Sequence, residues 1–208
     1  MKLKLSILLA AFLAGNLWAQ SLELPAPQKS GGMPLMEALA KRSTARAFAT
    51  NELPPQQISS LLWSAFGINR PDGKRTAPSA NDHQETDVYV LLKSGAYVYS
   101  AASNRLDRVA AEDIRALGGT QAFVKDAPVT LVFVADLAKM GTGAADNKTN
   151  NANIDVGYIS QNVYLFCASE GLVTGARGMV DRATLGPRLK LRPDQIIILA
   201  QSVGYPKP

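Results

Sequence analysis

The stretch NIDVGYISQNVYLFCASE, residues 153–170, decides how this chain is put together. Val156, Ile159, Val163 and Phe166 recur at helical spacing and predict one apolar face, while Tyr158, Leu165 and Cys167 make the opposite side apolar as well. A helix apolar nearly all round must be covered on several sides, either within one chain or by a second copy packed against it. Gly171 is the expected stop.

Outward from that helix the pattern alternates between strand and helix signals. Residues 86–92 and 96–100 read as strands turned at Ser94-Gly95. The β-branched run PVTLVFVA at 128–135 reads as a buried strand, residues 195–203 as another, and all are expected in one sheet. Pro34 suits a helix first turn, with Leu35, Met36 and Leu39 on one face through about Lys41. Residues 55–66 predict a second amphipathic helix, with Ile58, Leu61, Leu62 and Ala65 inward and Gly67 at its end. Residues 70–85 are loop-like and long for a compact domain, which marks a binding segment. Residues 141–153, rich in Gly, Ala and Asn, read as a mobile surface loop.

At the start of the chain, Lys2 and Lys4 precede an apolar run from Leu5 to Leu13, and Ala19 supplies a small residue before Gln20. That run is too short for a folded bilayer anchor, so residues 1–20 are expected to be a cleaved export signal and the mature protein periplasmic or secreted, with no membrane span. Residues 21–32, broken by Pro and Gly, are expected to be a linker, and one domain follows from 33 to 208.

With 47% hydrophobic and 19% charged residues among 208, the chain has the make-up of a globular protein. The formal charge falls from +5 to +3 once Lys2 and Lys4 are removed, and the scattered basic residues lack the interleaved aromatics of a nucleic-acid surface. Cys167 is the only cysteine, so no intramolecular disulfide forms, and its apolar setting predicts inert burial. His83 is the only histidine and no Gly-x-Ser-x-Gly elbow occurs, which argues against a serine hydrolase. One His and one Cys cannot fill a zinc tetrahedron, and Asp82, Glu85 and Asp87 read as a solvated acidic loop. Gly141-Thr142-Gly143 lacks the third glycine of a dinucleotide turn.

What remains is the cluster Lys41-Arg42-Ser43-Thr44-Ala45-Arg46-Ala47-Phe48, where guanidinium groups and hydroxyls together offer donors suited to a phosphate. Arg42, Thr44, Arg46 and Phe48 resemble the Arg-x-Ser-x-Arg/Lys-x-Phe motif of the FMN-dependent nitroreductase family, with Thr44 keeping the hydroxyl of the usual serine and Ser43 the neighbouring candidate. Pro78-Ser79-Ala80, Gln84 and the strand at Val88-Tyr89-Val90 resemble a second motif of that family. Asp155, Gly157, Gln161-Asn162, Gly171-Leu172 and Gly175-Ala176-Arg177-Gly178-Met179 resemble a third, and Val203-Gly204-Tyr205-Pro206-Lys207 the family's last strand. Leu61 to Arg70 is similar to the branch related to the dehydrogenases of thiazole and oxazole peptide biosynthesis.

The resemblance covers about residues 33–207 and implies an α+β fold, with a mainly antiparallel sheet flanked by helices and a homodimer holding two FMN at its interface. It implies Arg42 and Arg46 on the phosphate, Ser43 or Thr44 on phosphate or ribityl oxygens, and the backbone of Arg177 and Gly178 at the ring edge. Pro78, Ser79, Ala80 and Gln84 would pack on the ring across the interface, and Lys207 would stand in for basic residues that many members carry further on. The flavin, rather than a side chain, would do the redox chemistry, taking electrons from a donor such as NAD(P)H and passing them to a small acceptor. A flavin-binding or scaffold protein without turnover is the alternative from another class.

Overall fold

β-Branched and aromatic residues alternate along the strands and give one sheet two apolar faces. The structure, a computed structural model, describes residues 21–208, so the expected leader at 1–20 lies outside the described residues. The strands are β1 (Leu22–Glu23), β2 (Thr86–Leu92), β3 (Gly95–Ser100), β4 (Arg105–Ala110), β5 (Val129–Asp136), β6 (Val173–Arg177) and β7 (Gln195–Gly204). They lie in the order β1-β4-β3-β2-β5-β7-β6, every pairing antiparallel.

β5, beside the central β2, is buried along its whole length. Val88 and Val90 of β2 with Leu131 and Phe133 of β5 face a layer built from α2 (Pro55–Phe66) and α3 (Ala145–Ser169). Their neighbours Tyr89, Leu91, Val132 and Val134 face the other way, onto Ile114, Leu189 and the short α4 (Arg182–Arg188). The fold is therefore the expected α+β arrangement of helices flanking an antiparallel sheet.

Helix α2 follows its periodicity, with Leu61, Leu62 and Ala65 fully buried and Ile58 nearly so. It begins on Pro55, where a missing N–H costs nothing, and ends as the Gly67 N–H donates to the Trp63 carbonyl at 2.8 Å. At the other end of the core, α3 buries Ala152, Val156, Ile159, Val163 and Cys167, and the buried Ser160 Oγ donates to Gln201 Oε1 of β7 at 2.8 Å. Gly171 then takes φ +68°, and the Leu172 N–H reaches back to the Cys167 carbonyl at 2.9 Å to close the helix.

Four expectations are corrected. The segment taken for a mobile loop at 141–153 is helical from Ala145: its Asn-rich composition disfavours a helix, but Ala152 packs into a cluster with Ala135 and Met140, and Lys148 Nζ donates to the Gly141 carbonyl at 2.6 Å. The segment taken for a linker at 21–32 lies on the domain, with β1 paired to β4, Ser59 Oγ donating to the Pro25 carbonyl at 2.6 Å and the Gln28 N–H to Ser60 Oγ at 3.0 Å. In α1 (Leu35–Lys41) only Ala38 is buried, while Leu35, Met36 and Leu39 face outward. Glu85, read as part of a solvated acidic loop, is fully buried.

Leu61→Ala removes side-chain volume from this core and is expected to cost about 2–5 kcal/mol of unfolding free energy, read as a lower urea midpoint at unchanged m-value.

Candidate functional site

The segment after α1 cannot continue as a helix, because Arg42 and its successors turn extended and run beside the edge strand β6. The Ala45 N–H donates to the Thr174 carbonyl at 2.9 Å, and the Ala49 N–H donates to the Tyr205 carbonyl at 3.0 Å. Gly175 is what allows this approach, since a Cβ there would lie 2.4 Å from the Ala45 carbonyl oxygen. An antiparallel bridge joins Phe48 to Pro206, and that register carries Lys207 alongside Ala47, next to Arg46.

Arg42 and Thr44 meet at Tyr164 of α3, whose hydroxyl also accepts the Ala176 N–H, while Arg46 and Lys207 lie further along the same strand edge. Among the described residues, none of Arg42, Arg46 and Lys207 has a carboxylate partner. An uncompensated cationic cluster flanking a hydroxyl suits a bound anion. Thr44 Oγ1 lies 3.1 Å from Tyr164 Oη, whereas the exposed Ser43 hydroxyl makes no hydrogen bond among the described residues. Beside Gly178 there is open space, for a Cβ would meet nothing within 4 Å.

The side chain of Arg177 turns inward. Its guanidinium donates to the Gly118 carbonyl at 2.8 Å and to Ser202 Oγ at 3.0 Å, and it lies 5.9 Å from the Phe123 ring centre. Burial without a counter-ion pushes its pKa down to about 10, which leaves it protonated at neutral pH. Arg177 is therefore buried with its side chain turned inward, and the exposed residue beside the open space is Gly178.

Pro78, Ser79, Ala80 and Gln84 form a second, separate constellation. Asn81, Asp82 and Gln84 all adopt positive φ, a conformation non-glycine residues hold only when surroundings impose it. The Gln84 N–H donates to Ser79 Oγ at 3.0 Å, Arg75 Nε donates to Gln84 Oε1 at 2.8 Å, and the Ala80 N–H donates to Asp155 Oδ2 on α3 at 2.8 Å. Arg75 also stacks on Phe66 at 5.0 Å, and burial lowers its pKa. This loop touches α3 at Asp155, while Arg42 and Thr44 touch it at Tyr164. Nine residues separate them, about 14 Å along the helix and half a turn around it, so one chain does not bring the two constellations together.

Two residues in this arrangement carry no sequence signal of their own. Tyr164 lay in an apolar helix pattern, and only its tertiary contacts reveal it. Glu85 is buried beside Asp155, its Oε1 accepting a long bond from Thr86 Oγ1 at 3.4 Å and its Oε2 without a partner. Burial, and then the neighbouring Asp155 carboxyl, raise the Glu85 pKa. Burial likewise raises that of Cys167, which is held as an inert thiol.

The nitroreductase family profile matches residues 39–205 of the chain. A solved structure from Ralstonia eutropha JMP134, of a protein named among the nitroreductases, superposes with a TM-score of 0.86 at 38% identity and covers 90% of both chains. A curated relative from Methanocaldococcus jannaschii, named likewise, is 26% identical over 175 residues, 79% of this chain and 88% of its own. A solved structure from Staphylococcus epidermidis ATCC 12228, of a protein named as an NAD(P)H:FMN oxidoreductase, has a TM-score of 0.65 at 14% identity, covering 88% of this chain and 92% of that one, a likeness of fold.

Because the folded Glu85 pKa lies above its unfolded value, this group's contribution to stability is present at low pH and lost as pH rises through the folded pKa. Glu85→Gln is therefore expected to melt higher than the parent at about pH 8, with the difference shrinking toward about pH 4, below the ordinary carboxyl value. A difference in melting temperature that stays constant with pH would contradict the assignment.

Proposed function

Since this chain belongs to the nitroreductase family, we propose that it is an FMN-dependent oxidoreductase that moves electrons from a reduced donor to a small oxidised acceptor. The observation that carries this reading is the Arg42 guanidinium, free of any carboxylate partner among the described residues, beside the Thr44 hydroxyl at Tyr164, with Arg46 and Lys207 further along the same edge and open space beside Gly178. The cations fit a phosphate, and the exposed Gly178 fits the edge of a planar ring approaching without a Cβ in the way.

In this reading Arg42 and Arg46 hold the phosphate as permanent cations, Thr44 donates a hydrogen bond to it, and Lys207 adds charge from the last strand. The Gly178 N–H orients the ring edge. When bound, FMN supplies the centre that accepts and returns a hydride. The chain's own share of the work is to hold that group, to keep one face open for a small molecule such as a quinone or nitro compound, and to let donor and acceptor use the same space in turn. NAD(P)H is the donor we propose to try first.

A complete site needs a second copy. The separation of the Pro78–Ala80 loop from the cationic cluster along α3 supports a homodimer in which each loop serves the other chain. The outer face of α3 supports the same arrangement. Ile154 and Tyr158 are 55% and 48% exposed on it, and Gly157 stands between them with no atom within 4 Å of a Cβ position. A glycine in mid-helix costs about 1 kcal/mol against alanine, and another helix lying close along that face would explain it. The export signal read at residues 1–20 supports a periplasmic or secreted location.

Expressed from Met1 in a Gram-negative host, the protein is expected in the periplasmic fraction. Incubated with FMN, it should stay yellow through gel filtration and bleach under anaerobic NADH, with initial-rate lines running parallel. Retained colour that no donor bleaches would favour the non-catalytic flavoprotein, and no retained flavin would remove the reading altogether. Tyr158→Glu is expected to move the protein from dimer to monomer mass in light scattering and to lower its FMN affinity.

A further inference from the structure

Tyr164 joins the two ends of the candidate cofactor site, and nothing in its sequence position announces it. It lies on α3, 120 residues from Thr44 and 12 from Ala176 in the chain. Its hydroxyl oxygen accepts the Ala176 N–H at 3.0 Å and sits 3.1 Å from Thr44 Oγ1. Its ring lies 5.3 Å beneath the Arg42 guanidinium. One side chain therefore touches Arg42 and Thr44 on one side, and the strand leading to Gly178 through Ala176 on the other.

The direction of these hydrogen bonds follows from the donor inventory. A backbone N–H only donates, so Tyr164 Oη must accept from Ala176. Its single proton is then best used toward Thr44 Oγ1, the other polar atom in reach. A threonine hydroxyl that accepts this proton keeps its own free to donate to an anion on the exposed side of Thr44, beside Arg42. If Thr44 instead donated to Tyr164, it would meet the anion with a lone pair, an unfavourable contact between acceptors. Ser43 has no such partner.

We propose that Tyr164 is a positioning residue for the anionic end of the cofactor, its hydroxyl donating to Thr44 Oγ1 so that Thr44, rather than Ser43, presents a proton to the phosphate beside an Arg42 guanidinium held by the same ring. This rests on the flavin reading above and deepens it. The order Ala176 N–H, Tyr164 O–H, Thr44 O–H forms a chain in which each bond polarises the next. It also couples the phosphate end of the site to the ring end through a single side chain on the central helix.

The test is a set of FMN dissociation constants from quenching of flavin fluorescence, with melting temperatures recorded alongside. Tyr164→Phe keeps the ring under Arg42 and removes only the hydroxyl. Thr44→Val keeps the shape and removes the hydroxyl, Thr44→Ser restores it, and Ser43→Ala removes its neighbour. Tyr164→Phe and Thr44→Val are each expected to weaken FMN by about tenfold, the size of one hydrogen bond to a charged group. The double variant should be no weaker than Thr44→Val alone, and Thr44→Ser and Ser43→Ala should bind like the parent.

Additive losses in the double variant would overturn the coupling, and a loss carried by Ser43→Ala would overturn the choice of Thr44. Should Tyr164→Phe fail to fold, equal binding by Thr44→Val and Thr44→Ser would still overturn the proposal, and a loss confined to Thr44→Val would support it. A parent protein that binds no FMN would overturn the flavin reading and this inference together. A parent that binds FMN with Tyr164→Phe unchanged would overturn the inference alone.

Discussion

The packing of one face of α3 against the sheet is the contact on which the rest depends. Ala152, Val156, Ile159 and Val163 are fully buried along it, and the Ser160 to Gln201 bond fixes its register against β7. Burial of such residues contributes about 1.5–3 kcal/mol for each large aliphatic side chain, and a slip along the helix would lose several at once. That register in turn sets where Asp155 and Tyr164 emerge. Asp155 holds the strained loop through the Ala80 N–H, and Tyr164 meets Arg42, Thr44 and the end of β6. Both halves of the candidate site hang from one helix whose position the core decides.

Much of the fold was legible in the sequence because its periodicities are strong. The apolar runs of β2 and β5 reflect burial on both faces of the sheet, and the spacing of Ile58, Leu61, Leu62 and Ala65 reflects burial of one helix face. β4 escaped because RLDRVA is half charged and sits one strand from the sheet edge, so it lacks a clean apolar face. β6 escaped because VTGAR is short and its glycine serves a backbone approach that no propensity encodes. The first two turns of α3 looked like a loop because Asn and Asp favour caps and turns, and only tertiary packing of Ala152 overrides that preference.

The candidate site was legible in another way. Arg42, Thr44, Arg46 and Phe48 stood out by chemistry and by resemblance, and their extended conformation beside Gly175 gives that motif a physical basis. Glu85 was misread because a run of polar residues says nothing about which one turns inward, and Tyr164 was invisible because its partners are distant in the chain. Apolar residues remain outside, Ile154 and Tyr158 on α3 and Leu35, Met36 and Leu39 on α1, because helical spacing marks an apolar face without saying what covers it. A site split between two ends of one helix would need a second copy on such faces.

A crystal structure of the protein grown with FMN tests the central claim most directly. The account predicts a two-fold dimer packed along α3, with the phosphate within hydrogen-bond distance of Arg42, Thr44 and Arg46, the ring edge against the Gly178 N–H, and Ser79 and Ala80 of the other copy over the ring. A phosphate bound away from Arg42 and Arg46, or a complete flavin site formed within a single chain, would contradict it.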